Sequence, residues 1–374
     1  MKTRTIQTAT RMVAIITTII ATSVTGAQAQ LAQATGIAKF TLPANSTEVF
    51  GMPFVRPVVT SGKITSYTPS ADVPAKSTST STFEVTLNAG EPSIPALNNT
   101  STAADERYIL EITDGPALGF ICPCTGSTVN TSTGNTVVTV EGTTDTVPVP
   151  ANSSFVIRKD NTLSSVFGAP SANHPFGYGV GPTEASVKAY IQVYNSVTGT
   201  LTSYYVYNSG TTWQYRATSG PTDRTHVRLA AGKAVILASR VGTDIAVAFN
   251  GESRSARTRL WVPEDKITFL ANPAPLASTF EDANIPDTTP KRGVGAAGVQ
   301  VVGNASNADE WKVWNPATRT FANYYVGTDV NNFPTFLRPN GTTQNPVLNA
   351  FGGVGVKPLT TGKGYTVVTL APKL

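Results

Sequence analysis

Val193-Tyr194-Asn195-Ser196-Val197-Thr198-Gly199-Thr200-Leu201-Thr202-Ser203-Tyr204-Tyr205-Val206 returns 120 residues later as Val313-Trp314-Asn315-Pro316-Ala317-Thr318-Arg319-Thr320-Phe321-Ala322-Asn323-Tyr324-Tyr325-Val326. Self-similarity at a fixed spacing reports architecture before it reports chemistry. Each copy reads as strand, turn, strand, with Asn195 and Gly199 bracketing the first turn as hairpin connections require. Arg319 stands where Gly199 stands in the first copy, so the second turn must differ in detail. Neighbouring residues on a strand face opposite sides. Of Tyr204 and Tyr205, and again of Tyr324 and Tyr325, one ring is therefore expected in the core and the other nearer solvent or an interface.

Working outward, Leu163-x-Ser165-x-Phe167 matches Leu276-x-Ser278-x-Phe280, and Gly179-Val180-Gly181 matches Gly293-Val294-Gly295. Leu229-x-x-Gly232-Lys233 matches Leu359-x-x-Gly362-Lys363, with Gly232 expected to set a turn and Lys233 to sit at the solvated start of the next strand. The offsets of 113, 114, 120 and 130 grow along the chain, which implies insertions in the loops of the second copy. Pro43 and Pro53 match Pro263 and Pro273 at an offset of 220, which places an opening strand before each copy. About a hundred residues intervene in the first half only. They carry Tyr108-Ile109-Leu110-Glu111-Ile112 and Phe155-Val156-Ile157, both of strand character. Elsewhere Gly and Pro punctuate short β-branched runs such as Thr136–Val140, and one helical turn is expected near Thr162–Phe167.

The expected fold is all-β: duplicated β-sandwich or barrel-like modules with an inserted small β subdomain. The expected organisation is a leader over 1–29, the opening strand of the first unit over 30–58, the inserted subdomain over 59–160, the first repeat module over 161–254, and the second opening strand and module over 255–374.

Lys2, Arg4 and Arg11, the apolar run Met12–Ile20 and the small-residue site Ala27-Gln28-Ala29 read as a secretory signal. The apolar run is too short to anchor in a bilayer, and no later run has spanning length. The expected location is outside the cytoplasm: extracellular, cell-surface or periplasmic. Removing the leader's three cations from the formal net charge of +5 leaves +2. Nothing in that balance favours nucleic acid as a partner. Charged residues make up 14% of the chain, and Thr, Ser, Asn and Gly supply its polarity, as suits an exported β-protein.

Catalytic constellations are scarce. His174 lies in a loop sequence and His226 in a strand-like one, and neither has zinc-protease spacing. No Gly-x-Ser-x-Gly elbow is present. Gly293-Val294-Gly295-Ala296-Ala297-Gly298 fits Gly-x-Gly-x-x-Gly but follows a Pro/Asp/Thr loop and precedes a strand. A phosphate cradle needs a helix there. Asp282-x-Asn284-x-x-Asp287 offers oxygens but not the ligand count of a calcium loop. No cofactor or metal is therefore expected. Cys122-Pro123-Cys124 admits a strained disulfide, plain thiols, or a soft-metal or redox pair without a nearby third ligand. The aromatic clusters carry the remaining signal. Tyr194, Tyr205, Tyr207, Trp213, Trp314 and Tyr325 are candidate ligand-binding rings for a sugar or a protein surface, against the alternative of cross-strand packing.

Leu42-Pro43-Ala44, Tyr108-Ile109-Leu110-Glu111-Ile112-Thr113-Asp114-Gly115, Asn272-Pro273-Ala274-Pro275, Asn307-Ala308-Asp309 and the Trp314-Asn315…Tyr324-Tyr325 hairpin, together with the signal sequence, carry a resemblance. The chain resembles a family of secreted all-β proteins from Verrucomicrobia and related bacteria. Ala274 departs from it, standing where an aromatic is usual. The resemblance implies bacterial export and an all-β body, and carries over no activity and no site residues. Two functions follow from these readings: a non-catalytic exported structural or surface-interaction protein, which would self-associate or contact a cell-envelope protein, or a carbohydrate-binding protein or glycan-active enzyme.

Overall fold

The computed structural model describes residues 35–370 apart from 53, 72–78, 95–96, 98–106, 143–147, 181–185, 254–256, 273–276, 281–308, 316–317, 319, 329–333, 339–343, 349–351 and 359–364. Strands dominate, and the one helix among the described residues is Leu163–Phe167. That helix starts on a capping box in which Thr162 and Ser165 satisfy each other's backbone amides.

Three bodies of sheet organise the chain. The first is a closed antiparallel barrel of the strands Val58–Thr68, Thr80–Leu87, Thr136–Glu141, Ile121–Val129, Tyr108–Ile112 and Ser154–Lys159, in that order around the wall. Alternate residues fill it: Ile64, Phe83, Val85, Leu110, Val138, Val140, Phe155 and Ile157 are all buried. A barrel this small closes around side chains, not around a channel. Bulges between Val58 and Thr60, Ile64 and Ser66, and Cys124 and Gly126 bend its wall. The strand Tyr108–Ile112 is buried on both faces, its one charged residue Glu111 included. Leu110 and Ile112 point into the barrel, while Ile109 joins the core of the C-terminal sheet.

The second body is a sheet in which Gly220–Asp223, Trp213–Ala217, Thr200–Asn208, Ala189–Asn195, Ala234–Ser239 and Thr47–Gly51 follow one another. The third runs Pro334–Leu337, Thr320–Thr328, Glu310–Asn315, Gly353–Lys357, Thr268–Ala271. Their registers correspond. Ile191 pairs with Tyr204 and Leu237, as Trp311 pairs with Tyr324 and Val356. Phe50 pairs with Val235, as Leu270 pairs with Val354. Outside each sheet, the preceding strand pairs with the last one: Leu42 with Ile245, and Val262 with Thr366. The repeated Asn and Thr residues also do the same work twice. Asn195 Oδ1 accepts from the amides of Val197 and Thr198, and Asn315 Oδ1 accepts from Thr318. The Thr198 and Thr200 hydroxyls meet at 2.7 Å, those of Thr318 and Thr320 at 2.8 Å.

The correspondence corrects the outer matches read from sequence. Leu229 pairs with Asn161 as Leu348 pairs with Ser278, so Leu229 answers to Leu348, 119 residues on, and not to Leu359. Leu163 then answers to Phe280, both fully buried, and not to Leu276. Measured by register, the offset stays within a few residues of 120 and does not grow. Leu276, Leu359-x-x-Gly362-Lys363, Gly293-Val294-Gly295 and Asp282-x-Asn284-x-x-Asp287 themselves lie outside the described residues.

The two sheets meet back to back. Val49, Ala234 and Phe269 are buried between them, with Tyr194, Ile236, Trp314 and Phe321 packed around. Tyr194 meets Phe269 edge-on at 5.5 Å, Phe269 meets Phe321 at 5.7 Å, and Trp314 meets Phe321 at 5.0 Å. At the centre the backbones nearly touch. A Cβ on Gly51 would lie 2.3 Å from the Gly352 carbonyl, and one on Gly353 would lie 2.6 Å from Ala234 Cβ. Isolated bridges join Phe50 to Gly352 and Leu270 to Lys233. Because Phe50 answers to Leu270 and Lys233 to Gly352, the contact is self-complementary, the pattern of an isologous dimer held in one chain. Arg158, 4% exposed, ties the barrel to the first half by donating to Glu111 at 3.2 Å and to Glu252 at 2.6 Å.

Candidate functional site

The aromatic candidates separate into three environments. Tyr194 and Trp314 belong to the seam between the sheets and pack there against Phe269 and Phe321. Trp213 lies over the first core, edge-on to Tyr178 at 4.9 Å. The adjacent tyrosines face opposite sides as strand geometry demands, yet both members of each pair are buried. Tyr204 and Tyr324 line cores, while Tyr205 and Tyr325 on the other faces are only 8% and 6% exposed. Tyr205 meets Tyr190 and Tyr207 edge-on. Tyr207 keeps a partly open ring, with the Arg216 guanidinium 4.0 Å above it. The structure thus brings Tyr205 and Tyr207 together on one face, and sends the other candidates elsewhere.

Cys122 and Cys124 are free thiols, which corrects the candidate disulfide. Both point into the barrel core from alternate positions of one strand, where successive same-face residues stand too far apart for a sulfur–sulfur bond. Burial pushes both thiols well up, away from the reactive thiolate.

His174 is a structural histidine, 5% exposed. Its Nδ1 accepts from the Phe176 amide at 3.2 Å, so Nε2 carries the proton that it directs at the Phe167 carbonyl and Tyr215 Oη, each 2.8 Å away. Burial lowers its pKa to about 4. His226 lies in a turn, not in a strand, because Val227 closes back on the Arg224 carbonyl. No group of three or more His, Cys, Asp or Glu side chains among the described residues could hold a metal ion. No helix among them is long and apolar enough to cross a membrane.

Two cavities are formed by described residues. One, of about 370 Å³, lies in the first half, beside the segments that enter and leave the barrel. Phe50, Phe54, Val166 and Phe249 line it, with Arg56, Asn161 and Ser165 as polar members. The other, of about 170 Å³, lies where all three bodies converge. The barrel contributes Ile121 and Glu141, the first half Arg228 and Lys233, and the strand Thr258–Pro263 contributes Trp261. Gly232, at φ 78°, closes a tight turn whose Lys233 amide donates to the Ala230 carbonyl, and this turn aims Lys233 at the cavity. Lys233 stands immediately before the strand Ala234–Ser239, as the sequence suggested, and is half-buried at the cavity wall. Searches against family models, curated proteins and solved structures gave no match to this chain.

Proposed function

We propose that the protein is an exported, non-catalytic structural or surface-interaction protein. In this reading it is built from two copies of one β unit with the barrel inserted into the first, and it is kin to the secreted Verrucomicrobia family whose motifs it resembles. One observation carries the proposal: the repeated aromatic residues are engaged in packing. Tyr194, Phe269, Trp314 and Phe321 hold the halves together, so the strongest sequence signal for a ligand platform has a mechanical explanation. The conserved correspondence of turns and registers between halves also concerns scaffold and not chemistry. A surface of this kind would act by self-association or by contact with a cell-envelope protein.

A glycan-binding reading keeps one observation in its favour, the Tyr205–Tyr207–Arg216 array with its partly open Tyr207 ring. A glycan array and sedimentation velocity on the leader-free protein separate the two. Self-association without glycan binding supports the structural reading. Glycan binding that disappears in Tyr207→Ala would replace it.

A further inference from the structure

The halves of the chain act as controls for each other. Where they share a residue, the fold explains it; where they differ at matched positions, the fold alone does not. Lys233 answers to Gly352, and Arg228 answers to Val347. The strand pairing at these positions therefore forms without a lysine and without an arginine. Both cations line the three-body cavity of about 170 Å³.

Their circumstances differ. Arg228 Nε binds the buried Asp160 carboxylate, and its Nη1 lies 3.6 Å from Glu141. Arg228 is thereby neutralised. Lys233 has no carboxylate within 4.0 Å and no hydrogen-bond acceptor for Nζ among the described residues. It is also partly withdrawn from water; that withdrawal and repulsion from Arg228 lower its pKa, outweighing the attraction of Glu141 and Asp160. A half-buried ammonium that shares the field of Glu141 and Asp160 with Arg228 and has no direct ion pair of its own is costly, and Gly352 at the matched position shows that the strand pairing does not require it.

We propose that the three-body cavity is a binding site for a small apolar monocarboxylate, with Lys233 as the counter-ion of the carboxylate and the Ile121 and Trp261 walls as the contact for its apolar part. The volume lies below the ~300–1,000 Å³ of sites for drug-sized molecules, which limits the ligand to benzoate-like or branched short-chain acids. Glu141 and Asp160 nearby disfavour a dianion such as phosphate. A single lysine is a point charge that suits one carboxylate. This site is independent of the function proposed above, and stands whether or not Tyr207 binds glycan.

The test is a calorimetric titration of the leader-free protein with benzoate, benzamide and inorganic phosphate. Benzoate should bind at least about tenfold more tightly than its neutral isostere benzamide or phosphate. Lys233→Met, which keeps the stem and removes the charge, should abolish that preference. A second readout does not depend on the variant folding. After reductive ¹³C-methylation of lysines, the dimethyl-Lys233 resonance should move on adding benzoate and not on adding benzamide. Equal affinity for benzoate and benzamide, no benzoate binding at 10-fold excess over a millimolar protein sample, or an unmoved Lys233 resonance would each overturn the proposal.

Discussion

Replacing Phe269 by alanine tests whether the seam between the sheets holds the molecule together. Phe269 is 8% exposed and sits between Tyr194 and Phe321, with ring centroids 5.5 and 5.7 Å away. Removing a buried phenylalanine costs about 3–5 kcal/mol from lost transfer energy and the cavity left behind. The two ring contacts, about 0.5–1.5 kcal/mol each, form part of that total. Tyr194 and Phe321 are themselves only half-buried and can lean into the gap, so the expected loss is at the low end, about 3 kcal/mol. At a urea slope of about 3 kcal/mol/M this lowers the midpoint by about 1 M. The assay is urea unfolding followed by tryptophan fluorescence and far-ultraviolet circular dichroism together. Coincident transitions are expected in the parent, because Ile109 of the barrel and Ala231 of the first half are built into the second core. Leu201→Ala, at a 46% exposed position of the first hairpin, is the control and should change stability by less than about 0.5 kcal/mol. A loss below about 1 kcal/mol in Phe269→Ala would show that the halves cohere through something other than this seam.

Arg158→Met should cost about 3–5 kcal/mol, because it removes a buried guanidinium from its ion pairs with Glu111, 4% exposed, and Glu252. Adding Glu111→Leu should recover at least half of the loss, since Glu252, 19% exposed, can turn toward water; equal instability of the single and double variants would refute this. His174 gives a pH dependence of known sign. Its folded pKa, about 4, lies below the ordinary 6.5, so the unfolded chain takes up the proton first on acidification. The stability it contributes is complete above about pH 6.5 and is lost as pH falls toward 4, by up to about 3 kcal/mol. His174→Gln should flatten the unfolding midpoint between those limits, and a parent profile with no slope there would contradict the buried neutral ring.

The fold class was legible because strands leave a local trace: β-branched runs, Asn-Gly turns and alternating rings. The repeated hairpin was legible for the same reason, since Asn195 and Asn315 are retained to cap their own turns. What misled was identity without register. Leu359-x-x-Gly362-Lys363 copies Leu229-x-x-Gly232-Lys233 in letters, yet the pairing of Leu229 and Leu348 with their short partner strands sets the correspondence 119 residues apart. An offset held near that of the hairpin would have found it. The seam escaped for a different reason. Tyr194 and Trp314 look identical on paper whether they face a sugar or another sheet, and only the long-range contact of Phe269 with Phe321 decides between the two.

The same register turns the repeat into a tool for locating function. Turn asparagines, paired tyrosines and buried strand residues recur because both halves must fold and must mate at a seam too close for a Cβ on Gly51 or Gly353. Strand pairing fixes the backbone at matched positions and leaves the side chains there free to differ. Lys233 against Gly352 is such a pair, and Lys233 lies at a cavity walled by the barrel, the first half and the strand Thr258–Pro263. Around Lys233 the surroundings add what strand pairing does not set: Arg228, Glu141 and Asp160 as charged neighbours, and Ile121 and Trp261 as apolar walls.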